Sequence, residues 1–487
     1  MYQLIIILCR YVFVFYIAYF LWQGVAYIIN ERGIRSSVGR LAVAKQRVTV
    51  VFMHLTAFLL LAYVPSAYSF DPLTLVTGAG GLAFILAFHF ASEKVYKGSC
   101  PLIWNGIMFL ADVSLIMLVR MRPELAQKQL IWFIIGALAA LTIPLLLMLT
   151  PRFEKLEIVY LIVGYVFILL PFFLSTITNG ALNWIEIGGY SLQPSEIVKF
   201  LLVFYLASVF RKKRTLPQLA LPSLFSAGLV LILVMQRDLG GALIFFMTFM
   251  IMLYISSGSE LLFLLGMGLA ALGSVGAYQI FAHVRVRVES WQNPWLHADA
   301  GGYQILQSLF AIGTWGLWGS GLTRGMPNSI PVHESDFMFA ALCEELGPLF
   351  AVGIIGVFIM IFYRGVHISL RCKRRYYSLI AAGLTSMLTF QTFLIIGGNI
   401  KLIPLTGVTL PFLSYGGSSV IVSMLMVGFL QWLYISTFHE EEPASEENRR
   451  ERQEHPAGAG KPKAGRRKTK RNEGTEAKQG KRGDENE

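Results

Sequence analysis

Apolar runs of about 20 residues, each long enough to cross a bilayer core, recur along most of this chain. In hydrocarbon every backbone N–H and C=O needs a partner within the protein, so such runs become helices packed into a bundle. Composition agrees. Of the 487 residues 55% are hydrophobic and only 14% charged, about half the charged share of a soluble domain. The expected fold is an all-α polytopic membrane protein.

A net charge of +12 invites a nucleic-acid partner, but the lysines and arginines sit in short loops between apolar runs, as the positive-inside rule predicts. No nucleic-acid fold pattern accompanies them, so nucleic acid is not expected as a partner. The basic clusters report topology instead. Arg32, Arg35, Arg40, Lys45 and Arg47 follow a first helix at 4–29, in which Arg10 is an isolated charge able to snorkel to an interface. Helices at 48–64 and 72–90 form an antiparallel pair, followed by Lys94 and Lys97. Ten more are expected at 102–119, 129–149, 156–176, 195–210, 217–235, 239–256, 260–282, 337–363, 376–397 and 411–436. RKKR at 211–214 and RCKRR at 371–375 belong on the cytoplasmic side. The sum is about thirteen crossings, with the N-terminus outside and the C-terminus inside.

The first apolar run is long and lacks a basic start, so it reads as a retained helix and not as a cleavable signal. Cys9, Cys100, Cys343 and Cys372 show no clustered spacing, which argues against a disulfide framework or a zinc site. From 438 onward charged residues, Gly and Pro replace the aromatics. That composition predicts a disordered cytoplasmic tail, its basic half suited to anionic headgroups or a cytoplasmic partner.

Polarity is otherwise concentrated between 283 and 347, from HVRVRVESWQNPWLHADAGGYQILQS to GMPNSIPVHESDFMFAALCEELG. A loop this long is either functional or disordered. Trp291, Trp295, Tyr303, Trp315 and Trp318 argue for order, since disordered segments are poor in aromatics.

These residues carry a resemblance. NPWLHADAGGYQILQSLFAIGTWGLWGSGL with ESDFMFAALCEELG resembles the large extracytoplasmic loop of the shape, elongation, division and sporulation family, which contains RodA, FtsW and SpoVE. GALNW with QPSEIVK (193–199), QRDLGGA (236–242) and PLTGVTLPFLSYGGSS (404–419) stand in the same order as that family's other blocks. The likeness covers about 100–437. It implies three parts: extra N-terminal helices in 1–99, a ten-helix core in 100–437 with an extracytoplasmic loop at 283–336, and the tail at 438–487.

Several charged residues invite roles. Glu196 and Lys199 lie one turn apart at a helix start, with Pro194 suited to the first turn. They form either an ion pair that steadies the helix end or a buried pair that organises a polar cavity. The resemblance adds weight to the cavity, which the matching family residues line. Asp238, beside Arg237, is placed to cap the helix that follows, and Asp112 to make a polar contact between helices. Asp336 reads as an N-cap, and of Glu344 and Glu345 one should face the interior, at what the resemblance implies is the cavity mouth. The Gly–Gly–Ser–Ser run after Pro411 favours close helix packing.

The resemblance implies a glycosyltransferase that polymerises lipid II, the undecaprenyl-pyrophosphate-linked precursor of peptidoglycan, at the outer face of the bacterial cytoplasmic membrane. A class B penicillin-binding protein is the implied partner, beside the membrane lipids. Such a transfer needs a group to take the acceptor's hydroxyl proton and cations to meet the departing pyrophosphate. Asp299 or His297 would take the proton. Arg285 and Arg287 suit phosphate, although either could instead anchor a helix end at headgroups; Lys401 joins them as a substrate-binding candidate. A divalent cation, magnesium or manganese, would help, but no ligand spacing marks its site.

Here the chain departs from the family pattern NPxxDP, glycine-rich turn, YQ, whose aspartate is the family's proposed base. A gap-free count puts His297 at that position and Asp299 two residues later. Asp299 is preferred, because a loop flanked by Ala and Gly can slide by two residues. A lipid II flippase and a non-catalytic scaffold for a transpeptidase are the alternative functions.

Overall fold

The computed structural model describes residues 2–30, 36–65, 67–148, 153–174, 183–188, 190–212, 216–299 and 301–439. The expected tail from 440 onward, and Arg32, Arg35, Gly180, Lys213 and Arg214, lie outside the described residues. Sixteen helices follow one another: α1 (Tyr2–Ile29), α2 (Ser37–Ala62), α3 (Pro72–Val95), α4 (Pro101–Met121), α5 (Pro123–Met148), α6 (Glu157–Leu174), α7 (Pro194–Phe210), α8 (Leu216–Met235), α9 (Leu239–Ser257), α10 (Glu260–Ile280), α11 (Ala282–Gln292), α12 (Gly301–Gly313), α13 (Met338–Leu346), α14 (Pro348–Arg371), α15 (Arg375–Asn399) and α16 (Gly417–His439). The strands among the described residues form two minimal hairpins, β1 (Tyr63–Val64) with β2 (Ser69–Phe70) and β3 (Ile185–Ile187) with β4 (Tyr190–Leu192). Among the described residues twelve helices are long and apolar enough to cross a membrane. The thirteenth expected rod, α7, has 17 residues and is walled in by α6, α9, α15 and α16. The chain is a multi-pass membrane protein.

Local chemistry sets where the helices begin. Ser36 accepts from Gly39 N at 2.9 Å and Asp71 from Thr74 N at 3.0 Å, while Pro72, Pro101, Pro194 and Pro348 occupy first turns. The Ser36 cap starts α2 well before the expected 48, so Arg40, Lys45 and Arg47 lie on a helix and not in a loop. The helix expected at 337–363 is broken in two at Gly347, whose φ of +89° no helix accommodates. The last helix starts at Gly417, six residues late, because 411–416 is held in turns. The loop expected at 283–336 contains most of α11 and the whole of α12.

At the centre stands α4, buried along its whole length and flanked by α2, α3, α5 and α14. Polar contacts tie α1–α3 to it. Gln46 donates to the Phe20 carbonyl (3.1 Å) and accepts from Asn105 (3.0 Å). Arg47 bridges Asn105 (3.2 Å) and Glu93 (2.5 Å). His54 Nδ1 lies 2.6 Å from Asp112 Oδ1, and its Nε2 donates to the Gly78 carbonyl at 2.9 Å. With Nε2 committed as a donor, His54 and Asp112 share one proton. The expected interhelical role of Asp112 is thereby specified: it holds α2 and α3 against α4.

Replacing either member of this pair by leucine orphans a buried polar group, at about 1–3 kcal/mol. His54→Leu and Asp112→Leu should each lower the thermal unfolding midpoint in detergent. The double variant should lose clearly less than the sum; additive losses would show that the two side chains are not coupled.

Candidate functional site

A cavity of about 320 Å³ opens beside Leu125 and Trp132 of α5 and Trp184, where four segments meet: 191–199, 238–245, 334–336 and 407–417. They correspond to the blocks QPSEIVK, QRDLGGA, ESDF and LTGVTLPFLSYGGSS. Far apart in sequence, these blocks form the wall of one cavity.

The start of α7 supplies Glu196 and Lys199, which pair at 2.7 Å and are both buried. Lys199 also donates to Gln391 at 3.1 Å, and Gln391 donates to the Thr409 carbonyl at 2.8 Å. The ion pair therefore ties α7 to α15 and to the 400–416 segment, besides lining the cavity. Asp238 caps α9 by accepting from Gly241 N at 2.7 Å. Its other oxygen accepts from Gln193 at 2.9 Å and Asn183 at 3.3 Å, so the expected cap is also cavity wall.

Asp336 does not cap α13; Phe337 occupies that position without a side-chain bond. The Asp336 carboxylate instead faces the cavity, accepting from the Ser335 hydroxyl at 2.9 Å. Burial pushes it up to about 6, although the Ser335 bond and the nearby Arg287 guanidinium both act to lower it. Beside it Glu334 keeps a buried carboxylate oxygen, Oε2, without a hydrogen bond. Two side chains and one backbone amide pin the backbone here: Asn399 donates to the Asp336 carbonyl (2.8 Å), Ser414 to the Ser335 carbonyl (2.5 Å), and Tyr415 N to the Glu334 carbonyl (2.8 Å).

Of the cations expected to meet phosphate, Arg287 alone reaches this region. It donates to the Thr406 carbonyl at 3.1 Å, and both its Nη2 and Asp336 Oδ2 lie beside Gly407. Burial lowers its pKa, and the fields of Asp238 and Asp336 work against that. Arg285 is exposed, lying over the Tyr278 ring at 5.8 Å and donating to the Gln279 carbonyl at 2.9 Å. Lys401 does not line the cavity; its carbonyl accepts from Trp291 Nε1 at 3.1 Å.

Asp299 is exposed and His297 partly buried, on the turn after α11, and neither lines the cavity. Gly302, pressed against the Pro294 and His297 carbonyls, closes that turn onto α12. Glu344 and Glu345 are also away from the cavity. Glu345 pairs with Arg120 at 2.9 Å and accepts from Thr323 N at 2.9 Å, while Glu344 accepts from Met326 N at 2.9 Å. The two carboxylates clasp the 323–326 loop. Reading the sequence block by block missed Glu334, Gln193 and Thr409; the one legible signal was the Glu-x-Asp spacing inside ESDF.

Among the described residues no three His, Cys, Asp or Glu side chains stand close enough to cage a metal ion. An ion that keeps waters and binds through one carboxylate plus substrate phosphates fits Glu334, which lines the cavity and whose Oε2 has only His333 Nδ1, at 3.6 Å, for company.

Burial lifts Glu345 from the usual 4.5 to about 7, with Arg120 and the Thr323 bond opposing. Between those values the folded state holds a proton that the unfolded state has released, so this group's contribution is greatest below 4.5 and is lost as pH rises through 7. Glu345→Gln should flatten the pH dependence of the unfolding midpoint across that window. An unchanged slope would assign it to other groups.

The FtsW/RodA/SpoVE family model, described as cell cycle protein, matches residues 95–439. The peptidoglycan glycosyltransferase RodA of Mycobacterium tuberculosis is 37% identical over 278 residues, which cover 54% of this chain and 59% of that relative. Stage V sporulation protein E of Bacillus subtilis is 35% identical over 277 residues, covering 54% of this chain and 74% of that protein. The fold superposes on a chain from a structure described as coordination of polymerization and crosslinking by a peptidoglycan synthase complex. There the TM-score is 0.61 at 24% identity, over 70% of this chain and 99% of that one. The rod shape determining protein RodA of Thermus thermophilus gives a TM-score of 0.52 at 22% identity, over the same shares. With the family match running from the end of α3 to the end of α16, this chain belongs to the FtsW/RodA/SpoVE family of cell cycle proteins.

Proposed function

We propose that this protein is a peptidoglycan glycosyltransferase that polymerises lipid II, with the 283–336 end of the bundle outside the bacterial cytoplasmic membrane. The observation that carries this reading is the cavity itself. It gathers Glu196, Lys199, Asp238, Glu334 and Asp336 beside Arg287, in a chain whose relatives include a protein named peptidoglycan glycosyltransferase.

In the reaction the acceptor's hydroxyl oxygen bonds to the donor's anomeric carbon, and the bond from that carbon to the lipid pyrophosphate breaks. The hydroxyl proton passes to a carboxylate, and the pyrophosphate leaves with its lipid. Arg287, beside the cavity at Gly407, is the cation placed to meet that leaving group, Lys199 being paired with Glu196. A divalent ion held by Glu334 and the substrate phosphates would add Lewis-acid stabilisation there, leaving Asp336 to the proton. Asp336 is the acceptor the geometry favours: it lines the cavity, and a carboxyl at about 6 is ionised at neutral pH yet close to the working range of a general base. Asp299, preferred from the sequence, is exposed and does not line the cavity. It could act only if the 293–299 turn closed over the cavity. A class B penicillin-binding protein is the proposed partner.

Purified protein supplied with labelled lipid II, alone and with such a partner, should make glycan strands. Failure in both settings, together with movement of label across vesicle membranes, would replace polymerisation with flipping. Loss of a general base costs a factor of about 10²–10⁴ in rate. Asp336→Asn should show that loss and Asp299→Asn much less; the reverse order would return the base to the loop.

Polymerisation by the intact protein should fall as pH drops through about 6, where Asp336 takes up its proton. A histidine base would produce a similar limb, so the same profile in His297→Ala decides between them. Survival of the limb supports Asp336, and its disappearance points to His297.

A further inference from the structure

The first helices, α1–α3, precede the segment that matches the family, yet α1 reaches the long polar loop. Arg10, expected to snorkel to an interface, donates to the Gly319 carbonyl at 3.3 Å and to the Tyr11 hydroxyl at 2.9 Å. Its guanidinium lies over the Tyr11 ring at 4.9 Å, and that ring packs on Trp318 at 4.7 Å. Ile6, 1% exposed, fills the space beside Gly321, where an added Cβ would stand 2.7 Å from it. An arginine within an apolar helix is costly unless something meets it. Here what meets it is the 318–321 loop.

The other side of that loop is bound to the α13–α14 junction. Ser320 N and Gly321 N donate to the carbonyls of Glu344 and Glu345 at 2.8 and 2.9 Å, and Leu349 N to that of Leu317 at 3.2 Å. Next along, the two carboxylates clasp Thr323 and Met326. The nine residues of α13 run from this junction to the cavity, where Asn399 joins Ala340 N (3.2 Å) to the Asp336 carbonyl (2.8 Å). Further down, α1 is seated on α14: added Cβ atoms at Gly353 and Gly356 would stand 2.6 Å from Ile17 and 2.9 Å from Leu21.

We propose that α1 is a positioning helix supplied in cis, with Ile6, Arg10 and Tyr11 holding the 317–326 loop and, through α13, the cavity segment at 334–337. This goes beyond the glycosyltransferase reading. Its activity arm rests on that reading, and its structural arm does not.

The test uses full-length protein in nanodiscs, with Arg10→Ala, Tyr11→Ala and the milder Ile6→Ala. Phe15→Ala and Trp22→Ala, on the exposed face of the same helix, serve as controls. Hydrogen exchange should rise about fivefold in 317–326, the factor for one lost hydrogen bond, and should also rise in 334–337. Peptides from α7 and α15 should not change. Arg10→Lys should restore much of the protection. In protein shown to polymerise lipid II, kcat should fall by about the same factor with KM little changed. Unchanged exchange in 317–326, or a uniform rise across all helices, overturns the proposal. So does a loosened loop with unaltered exchange at 334–337, which decides the matter even if the wild type makes no polymer.

Discussion

A membrane bundle can carry non-helical backbone at its centre only where protein groups satisfy every exposed N–H and C=O. The segments that wall the cavity are of this kind. They turn sharply at Arg237, Val332 and Phe412, all at positive φ, a conformation costing of order 1–3 kcal/mol at a β-branched or bulky residue. Side chains from distant helices hold them there. Gln129 of α5 donates to the Ser414 carbonyl, Gln391 of α15 to that of Thr409, and Asn399 to that of Asp336. Without these amides the backbone polar groups would be stranded. The polar residues inside the bundle are thus a condition for having a cavity at all.

The same constraint governs charge. Several buried ions meet a partner that does a second task. Glu196 and Lys199 neutralise each other while Lys199 anchors α15. Asp238 caps a helix with one oxygen and orders two amides with the other. Glu345 meets Arg120 while gripping a loop amide. Glu334 and Asp336, half-buried at the cavity, are less fully met: Oε2 of Glu334 has His333 Nδ1 at 3.6 Å but no hydrogen bond, and burial raises Asp336 despite its neighbours. Glu344 and Glu345 show the same signs, one oxygen without a hydrogen bond and one carboxyl raised to about 7, so what sets Glu334 and Asp336 apart is that they line the cavity.

The helical bundle was legible because hydrophobic length decides it locally: each of the thirteen expected rods is helical, and twelve of them are long and apolar enough to cross a membrane. Helix ends were less so. The Ser36 cap, the break at Gly347 and the late start at Gly417 depend on turn chemistry that an apolar count does not register. Of the candidate site residues, Glu196, Lys199 and Asp336 line the cavity and Arg287 stands beside it. Asp299, His297, Arg285, Lys401, Glu344 and Glu345 lie elsewhere. Motif membership alone could not separate these groups, since ESDF and EEL share one block, yet Asp336 and Glu345 sit at opposite ends of the nine-residue α13.

By itself, then, the sequence determined that this chain is a helical membrane protein, where most of its rods lie, and which family it resembles. Those properties follow from hydrophobic length and from short local patterns. Tertiary structure alone decided which charges share a cavity, that Asp238 is wall as well as cap, and that α1 reaches the loop through Arg10. These depend on pairings between residues up to about three hundred positions apart, such as Arg10 with Gly319. Helix packing fixes such pairings, and no local pattern encodes them.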